Sequence, residues 1–352
     1  MMQAILSFNQ IKNCLKYSTT AVFMLFCLAA NAQYNFADAD AFITQNQKAL
    51  GSDIATLVYK DGKIIFQKET GAFNSKTVAP IASCSKWLTA ALVMTFVDEG
   101  KISLDQKVSD YLPIFETYGK TYITLRQCLS HTTGISDKGL LARLIERRKF
   151  ETLEEEVNSF VKREIADNPG KSFYYGNVGL NIAARVLEVV SKKNFETLMR
   201  QRILIPLEMK QTSFAADNAP NPSGGAVSTA NDYMNFLSMI LNKGLYKDKR
   251  ILSEKAIAEM QRVQTKGIVK KYTPKVAEGY EYGLGEWILE EDANGNSTVV
   301  ASPGLFGTFP YVDKQRNYAC IIFIKKFITE ERKELYMELK QKIDAAINTA
   351  GK

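Results

Sequence analysis

The spacing of apolar residues changes period several times along this 352-residue chain, and each change predicts an element. Residues 38–50 repeat at helical spacing. Alternation over 54–59 and 63–67 flanks Asp61-Gly62, a strong two-residue hairpin signal. A helix is then expected from Pro80, which suits a first helical turn, with Leu88, Leu92 and Phe96 on one stripe and Gly100 closing it. From about 100 to 267 the pattern is mostly helical with polar loops. Strand signals return at 284–289, 298–301, 308–312 and 318–324, with a turn at Asn294-Gly295. The final run, 330–347, reads as an amphipathic helix carrying Leu335, Leu339, Ile343 and Ile347, with Thr329 as N-cap. Strands at both ends with helices between them predict an α/β fold of the α+β kind. One antiparallel sheet is built from the two termini, the terminal helices pack on one face, and a mostly helical lobe is inserted beside it. The sheet lobe takes about 33–80 and 280–350, the helical lobe about 100–270.

The first 32 residues do not belong to that fold. Lys12 and Lys16 precede the apolar run 21–29 and then Ala30-Asn31-Ala32, the layout of a secretory leader cleaved before Gln33. The run is too short to span a membrane, and Met24-Leu25-Phe26 before Cys27 is not a lipoprotein acceptor box. A soluble exported protein, periplasmic or secreted, is expected. Leader removal lowers the formal charge from +7 by two lysines. The remaining basic residues are interleaved with acids and form no aromatic-basic stripe, so nucleic acid is not an expected partner. Cys84, Cys128 and Cys320 remain, an odd number that gives no disulfide framework. With one histidine and these scattered cysteines, no zinc site is expected, nor any other cofactor.

The chemistry concentrates at Ser83-Cys84-Ser85-Lys86. A serine hydroxyl needs a base beside it, and residues three apart share a helix face. A lysine partly desolvated by an apolar helix can have its pKa lowered enough to take that proton. Ser83 is therefore the candidate nucleophile and Lys86 its base. A second S-x-x-K, Ser159 to Lys162, lies in a Glu- and Lys-rich run that reads as a solvated helix face. Cys84 is rotated off the Ser83–Lys86 face and reads as packing. In the loop 169–179, Tyr175 and Asn177 point the same way from an extended segment while Tyr174 points the other. The phenol can share the Lys86 proton, and the amide can hold either a substrate carbonyl or the lysine. A second Tyr-x-Asn, Tyr233 to Asn235, falls inside the amphipathic run 231–241 and reads as ordinary helix.

Ser83, Lys86, Tyr175 and Asn177, in this order and followed by a glycine-containing strand near the C-terminus, resemble the serine β-lactamase and penicillin-recognising superfamily. The Tyr-x-Asn form is similar to its class C branch, which holds β-lactamases, D-Ala-D-Ala carboxypeptidases, D-aminopeptidases and esterases. Segments 100–113, 123–134 and 225–232 also resemble that family in the family's order, so the likeness covers nearly all of the mature chain. It implies a β-lactamase/transpeptidase-like fold and an acyl-serine mechanism. It also implies that the N–H of Leu305, after Gly304, pairs with that of Ser83 as an oxyanion hole. The third box departs from the family. Ser302-Pro303-Gly304 stands where the resemblance expects Lys-Thr-Gly or His-x-Gly. Gly304 still permits close approach of substrate, but the cation is missing, and Pro303 is tolerable only on an unpaired strand edge.

The only histidine, His131, has no G-x-S-x-G elbow to serve, and in the resemblance it lies in a structural turn. The expectation is a monomeric esterase or amidase preferring uncharged acyl groups, since Leu305, Phe306 and Phe309 surround Ser302. Its substrate is a small ester, amide or peptide. The rivals are a β-lactamase or D-Ala-D-Ala carboxypeptidase that finds its cation at Lys270, Lys271 or Lys275, and a catalytically weak penicillin-binding-type sensor.

Overall fold

The computed structural model describes residues 34–137, 139, 146, 149–326 and 332–349. The leader and the Thr329 cap lie outside them. Helix α1 (Ala37–Gln45) stops at Asn46, and a single further turn, Gln47–Leu50, completes the run predicted as one helix. Strands β1 (Ile54–Lys60) and β2 (Lys63–Thr70) form the expected hairpin. Asp61 and Gly62 both take positive φ, as a turn matched to strand twist requires. Then come α2 (Ser85–Asp98), α3 (Leu153–Val161), α4 (Val178–Ser191) and α5 (Ala230–Leu241). The chain returns to the sheet with β3 (Glu281–Tyr282), β4 (Trp287–Glu291), β5 (Ser297–Ala301), β6 (Phe309–Asp313) and β7 (Tyr318–Ile324), and finishes in α6 (Lys333–Thr349).

The sheet order is β2-β1-β7-β6-β5-β4-β3, so the first strand pairs with the last, Ile54 opposite Ile324 and Tyr59 opposite Ala319. Strand β7 is buried on both faces. Tyr318, Cys320, Ile322 and Ile324 meet α1 and α6 through Phe42, Ile43, Leu339 and Ile343. Ala319, Ile321 and Phe323 meet the inserted helices. Helix α2 is buried around its whole circumference from Ser85 to Phe96, the mark of a central helix. It ends in a Schellman turn: Lys101 N–H donates to Phe96 O and Gly100 N–H to Val97 O, with Gly100 at φ +67°.

Two expectations are corrected. Helix α2 does not begin at Pro80. Ala79–Pro80 pairs as a short strand with Val227–Ser228, and the Ile81 N–H goes to Ala226 O rather than into a helix. Pro80, lacking an N–H, needs no partner there. Pro303 is not on a strand edge either. Strand β5 is flanked by β6 and β4 and ends at Ala301, so Pro303 lies past the strand and removes no ladder bond. Strand β4 also starts late, because Gly283–Gly285 form a turn before it.

Candidate active site

Ser83 sits in a single 3-10 turn, Ala82–Cys84, between the short strand and α2. Ala82 takes φ +45°, which costs about 1–2 kcal/mol for a residue with a Cβ. The turn is held from several sides. Ala226 N–H donates to Ser85 Oγ at 3.1 Å, Tyr233 Oη donates to Cys84 O at 2.8 Å, and Ser302 Oγ donates to Ser83 O at 3.3 Å. Because the turn runs straight into α2, the Ser83 N–H is at a helix start, where amides point outward unpaired and the dipole favours negative charge.

Lys86 lies one turn on, 1% exposed. Its Nζ is 2.7 Å from Ser223 O, 3.2 Å from Ser83 Oγ and 3.4 Å from Asn177 Oδ1. The carbonyl and the amide oxygen can only accept. Nζ donates to both of these and also faces the serine hydroxyl, where one proton can reside on either atom. The Ser223 carbonyl is aimed by a chain of buried groups: Ser223 N–H donates to Asn181 Oδ1, and Asn181 Nδ2 donates to Glu156 Oε2. Asn177 is the N-cap residue of α4, yet its side chain makes no cap. Forgoing a cap costs about 1 kcal/mol, and the side chain is spent on Lys86 instead.

Tyr175 places its ring over Lys86, with Nζ 4.9 Å from the centroid. Tyr174 turns the other way and meets Tyr272, centroids 5.3 Å apart. Asp137 Oδ2 accepts from the Asn177 N–H. His131 is buried beneath this loop at φ +58°. Gly176 N–H donates to its Nδ1 at 3.5 Å, its carbonyl accepts from Tyr174 N–H, and its ring is 4.7 Å from that of Tyr175. With Nδ1 accepting, Nε2 carries the proton and faces Tyr282 Oη at 3.2 Å. His131 thus supports the tyrosine loop from below.

The 302–307 segment closes the other side. Gly304 N–H donates to Thr308 O and Gly307 N–H to Gly304 O, a β-turn that leaves the Leu305 N–H without an acceptor among the described residues. A Cβ at Gly304 would fall 2.4 Å from Ile81 O and 3.1 Å from Cys84 Sγ, so only glycine lets this turn close on the serine turn. Tyr336 of α6 donates to Gly307 O and anchors the loop from behind. The Ser302 hydroxyl, buried and bonded to Ser83 O, ties the two segments together. Burial pushes the Cys84 thiol far up, so it stays protonated and packs under Gly304. The second S-x-x-K dissolves: Ser159 bonds Glu156 O and Lys162 is exposed beyond α3, whose other face is buried through Leu153, Val157 and Phe160.

The Beta-lactamase family profile matches residues 40–342. The chain belongs to the beta-lactamase family. Among curated relatives it is similar to the D-alanyl-D-alanine-carboxypeptidase/endopeptidase AmpH of Escherichia coli strain K12, at 23% identity over 279 residues, 71% of each chain. Among solved structures it is similar to a protein of Bacteroides dorei DSM 17855 assigned as a beta-lactamase. That match has 30% identity and a TM-score of 0.81, and covers 90% of this chain and all of that one. A family VIII carboxylesterase shares the fold at 17% identity and a TM-score of 0.71, over 90% and 98% of the two chains. The mixed fold with its large antiparallel sheet is that of beta-lactamases and penicillin-binding proteins.

Within this beta-lactamase scaffold Lys86 contacts both Ser83 and Asn177, and Tyr175 lies over the lysine, so these four sequence-predicted residues are brought together. It missed Ser223, whose Gly224-Gly225 neighbours are the visible signal, and Asn181, whose helical spacing from Asn177 is one. Lys270 is engaged by Glu281 Oε1 at 2.8 Å and Tyr280 O at 3.0 Å, and Lys271 by Asp167 at 3.6 Å.

Proposed function

We propose that this chain is an exported serine hydrolase that cleaves esters or amides with uncharged acyl groups through an acyl-Ser83 intermediate. The observation that carries the reading is the buried Lys86 Nζ at 3.2 Å from Ser83 Oγ, with Ser223 O and Asn177 Oδ1 also accepting from it. Ser83 Oγ attacks the substrate carbonyl while Lys86, coupled to Tyr175, takes its proton. The developing oxyanion is received by the N–H groups of Ser83 and Leu305. The C–O or C–N bond then breaks and the proton passes to the leaving group. Water, giving its proton to the same pair, hydrolyses the ester and restores Ser83. The acyl preference follows from Ser302: its hydroxyl is spent on Ser83 O, and it carries no charge to grip a substrate carboxylate. The leader-like first 32 residues support export to the periplasm or medium.

Likeness to AmpH supports a second reading, release of D-alanine from a D-Ala-D-Ala peptide. One assay separates them. Intact mass after a fluorophosphonate should show one adduct on Ser83. kcat/KM should be high for a short-chain nitrophenyl ester and near background for a chromogenic cephalosporin and for the dipeptide-terminated substrate. Efficient turnover of either carboxylate-bearing substrate, with ester hydrolysis near background, would replace the esterase reading.

A further inference from the structure

The scaffold carries a buried acid packed against the backbone of α2 that the proposed chemistry does not use. Gly285, at φ +81°, packs directly on α2: a Cβ there would fall 2.9 Å from Lys86 O and 2.4 Å from Ala90 Cβ. Glu286 follows it and is fully buried. Among the described residues neither of its carboxyl oxygens has a hydrogen-bond partner of good geometry, and the donor facing them is the buried Trp87 Nε1–H. The groups facing it are Trp87 from α2, Tyr233 from α5, Tyr282 from β3 and Lys314 from the turn after β6. Lys314 is the one cation among these, and it is committed to Gln261 Oε1 and Ser297 Oγ, each at 2.8 Å. Tyr282 links this pocket to the site, since its hydroxyl meets His131 and its ring meets that of Tyr175.

Burial, opposed weakly by Lys314 and the Trp87 N–H, lifts the Glu286 carboxyl to about 8. An anion here would sit in a low-dielectric pocket against the backbone of α2, with Tyr233 and Tyr282 between it and Tyr175. It would favour the ammonium form of Lys86, disfavour a Tyr175 phenolate and oppose the oxyanion. All three effects slow acylation. We propose that Glu286 is a positioning residue that keeps its proton at neutral pH, so that Lys86 and Tyr175 can exchange the serine proton without a buried negative charge in that pocket. The inference rests on the reading of Ser83, Lys86 and Tyr175 as nucleophile and proton carriers. Its sign is distinctive: deprotonating the base itself raises the rate as pH rises, whereas ionising Glu286 lowers it.

The test measures the rate of fluorophosphonate labelling of Ser83 from about pH 6 to about pH 10 in the full chain and in Glu286→Gln, which keeps the shape and cannot ionise. In parallel, the infrared carboxylic-acid C=O band of the unmodified protein is followed over the same range. The expected result is a fall of about tenfold in labelling on the alkaline side, at the same midpoint as loss of the infrared band, and no such fall in Glu286→Gln. An identical alkaline limb in both proteins overturns the inference. So does the lack of a protonated carboxyl at neutral pH, a measurement that stands even where Glu286→Gln does not fold. Failure of Ser83 to label at any pH removes the serine-hydrolase reading instead, and with it the kinetic role given to Glu286.

Discussion

Two buried lysines on opposite sides of the sheet show how one residue type is put to different uses. On the rear face, Lys340 of α6 is 3% exposed and meets three carboxylates: Asp344 at 2.8 Å, Asp313 at 3.0 Å and Glu290 at 3.2 Å. Burial alone would lower its pKa, but the hydrogen bond that it donates to Asp344 and the surrounding acids outweigh that and raise it. That lysine is locked as an ammonium. On the front face, Lys86 meets a carbonyl, an amide oxygen and a hydroxyl. Neutral oxygens hold an ammonium less firmly than carboxylates do, so a proton on Lys86 is easier to give up than one on Lys340. The stabilising lysine is clamped by carboxylates, whereas the one beside the nucleophile donates to neutral oxygens.

The sharpest way to break that contrast is to remove each lysine. Lys86→Met should fold and lose about a thousandfold or more of ester turnover, matching Ser83→Ala if the pair acts as a unit. Lys340→Met should keep its kcat and lose about 3–5 kcal/mol in denaturant unfolding, because it strands buried carboxylates. A Lys340 variant that is stable but inactive, beside an active Lys86 variant, would reverse the assignment.

Buried carboxylates repeat the comparison. Asp313 is fully buried and paired with Lys340 and Arg316, whereas Glu286 has no hydrogen-bond partner of good geometry among the described residues. The folded state raises the Glu286 pKa from an ordinary 4.5 to about 8, through burial. A carboxyl that binds its proton more tightly when folded contributes fully below its unfolded value, and that contribution is lost as pH rises through the folded one. Unfolding free energy should therefore fall between about pH 4.5 and pH 8, by an amount on the order of 3–5 kcal/mol. Glu286→Gln should flatten that slope. Urea titrations at both ends of the window suffice, and parallel slopes for the two proteins would refute the assignment.

Within the site, Tyr175→Phe should lower kcat about a hundredfold or more, as loss of a proton carrier does. Tyr174→Phe should stay close to the unmodified rate, its ring lying against Tyr272. His131→Ala should keep the chemistry once its lower stability is allowed for, since the imidazole holds the loop and not the reacting atoms. A histidine variant that is folded and dead would return a histidine-based mechanism.

What the sequence made legible divides along the same line. The Asp61-Gly62 hairpin, the two-faced strand β7 and the terminal helices follow from local pattern, because period and turn chemistry are properties of neighbouring residues. The contact of Ser83, Lys86 and Asn177 came from box order combined with family likeness. The start of α2 was misread because Pro80 satisfies a helix first turn and a short strand equally well. The strand at 227–228, which decides between them, is nearly 150 residues away. Pro303 was placed on an edge because nothing local tells an edge from a strand end. Glu286 was invisible for a plainer reason: an acid beside Trp287 carries no pattern that announces burial.

The smallest effect concerns Ser302, where the front of the molecule departs most from its family. Its hydroxyl joins the third-box turn to the Ser83 carbonyl. Ser302→Ala removes one neutral hydrogen bond, and should cost about 1 kcal/mol of stability with little change in ester turnover. Ser302→Lys restores the cation that the family likeness expects, and a charge-assisted contact to a substrate carboxylate is worth about 1.5–3 kcal/mol. The ratio of cephalosporin to ester kcat/KM should therefore rise about tenfold or more in the lysine variant and stay level in the alanine variant. Equal ratios in all three proteins would show that the missing charge does not set the acyl preference. The exposed Leu305 would then be the place to look, since Phe309, expected to make the cleft apolar, instead stacks on Tyr336 at the rear of the sheet.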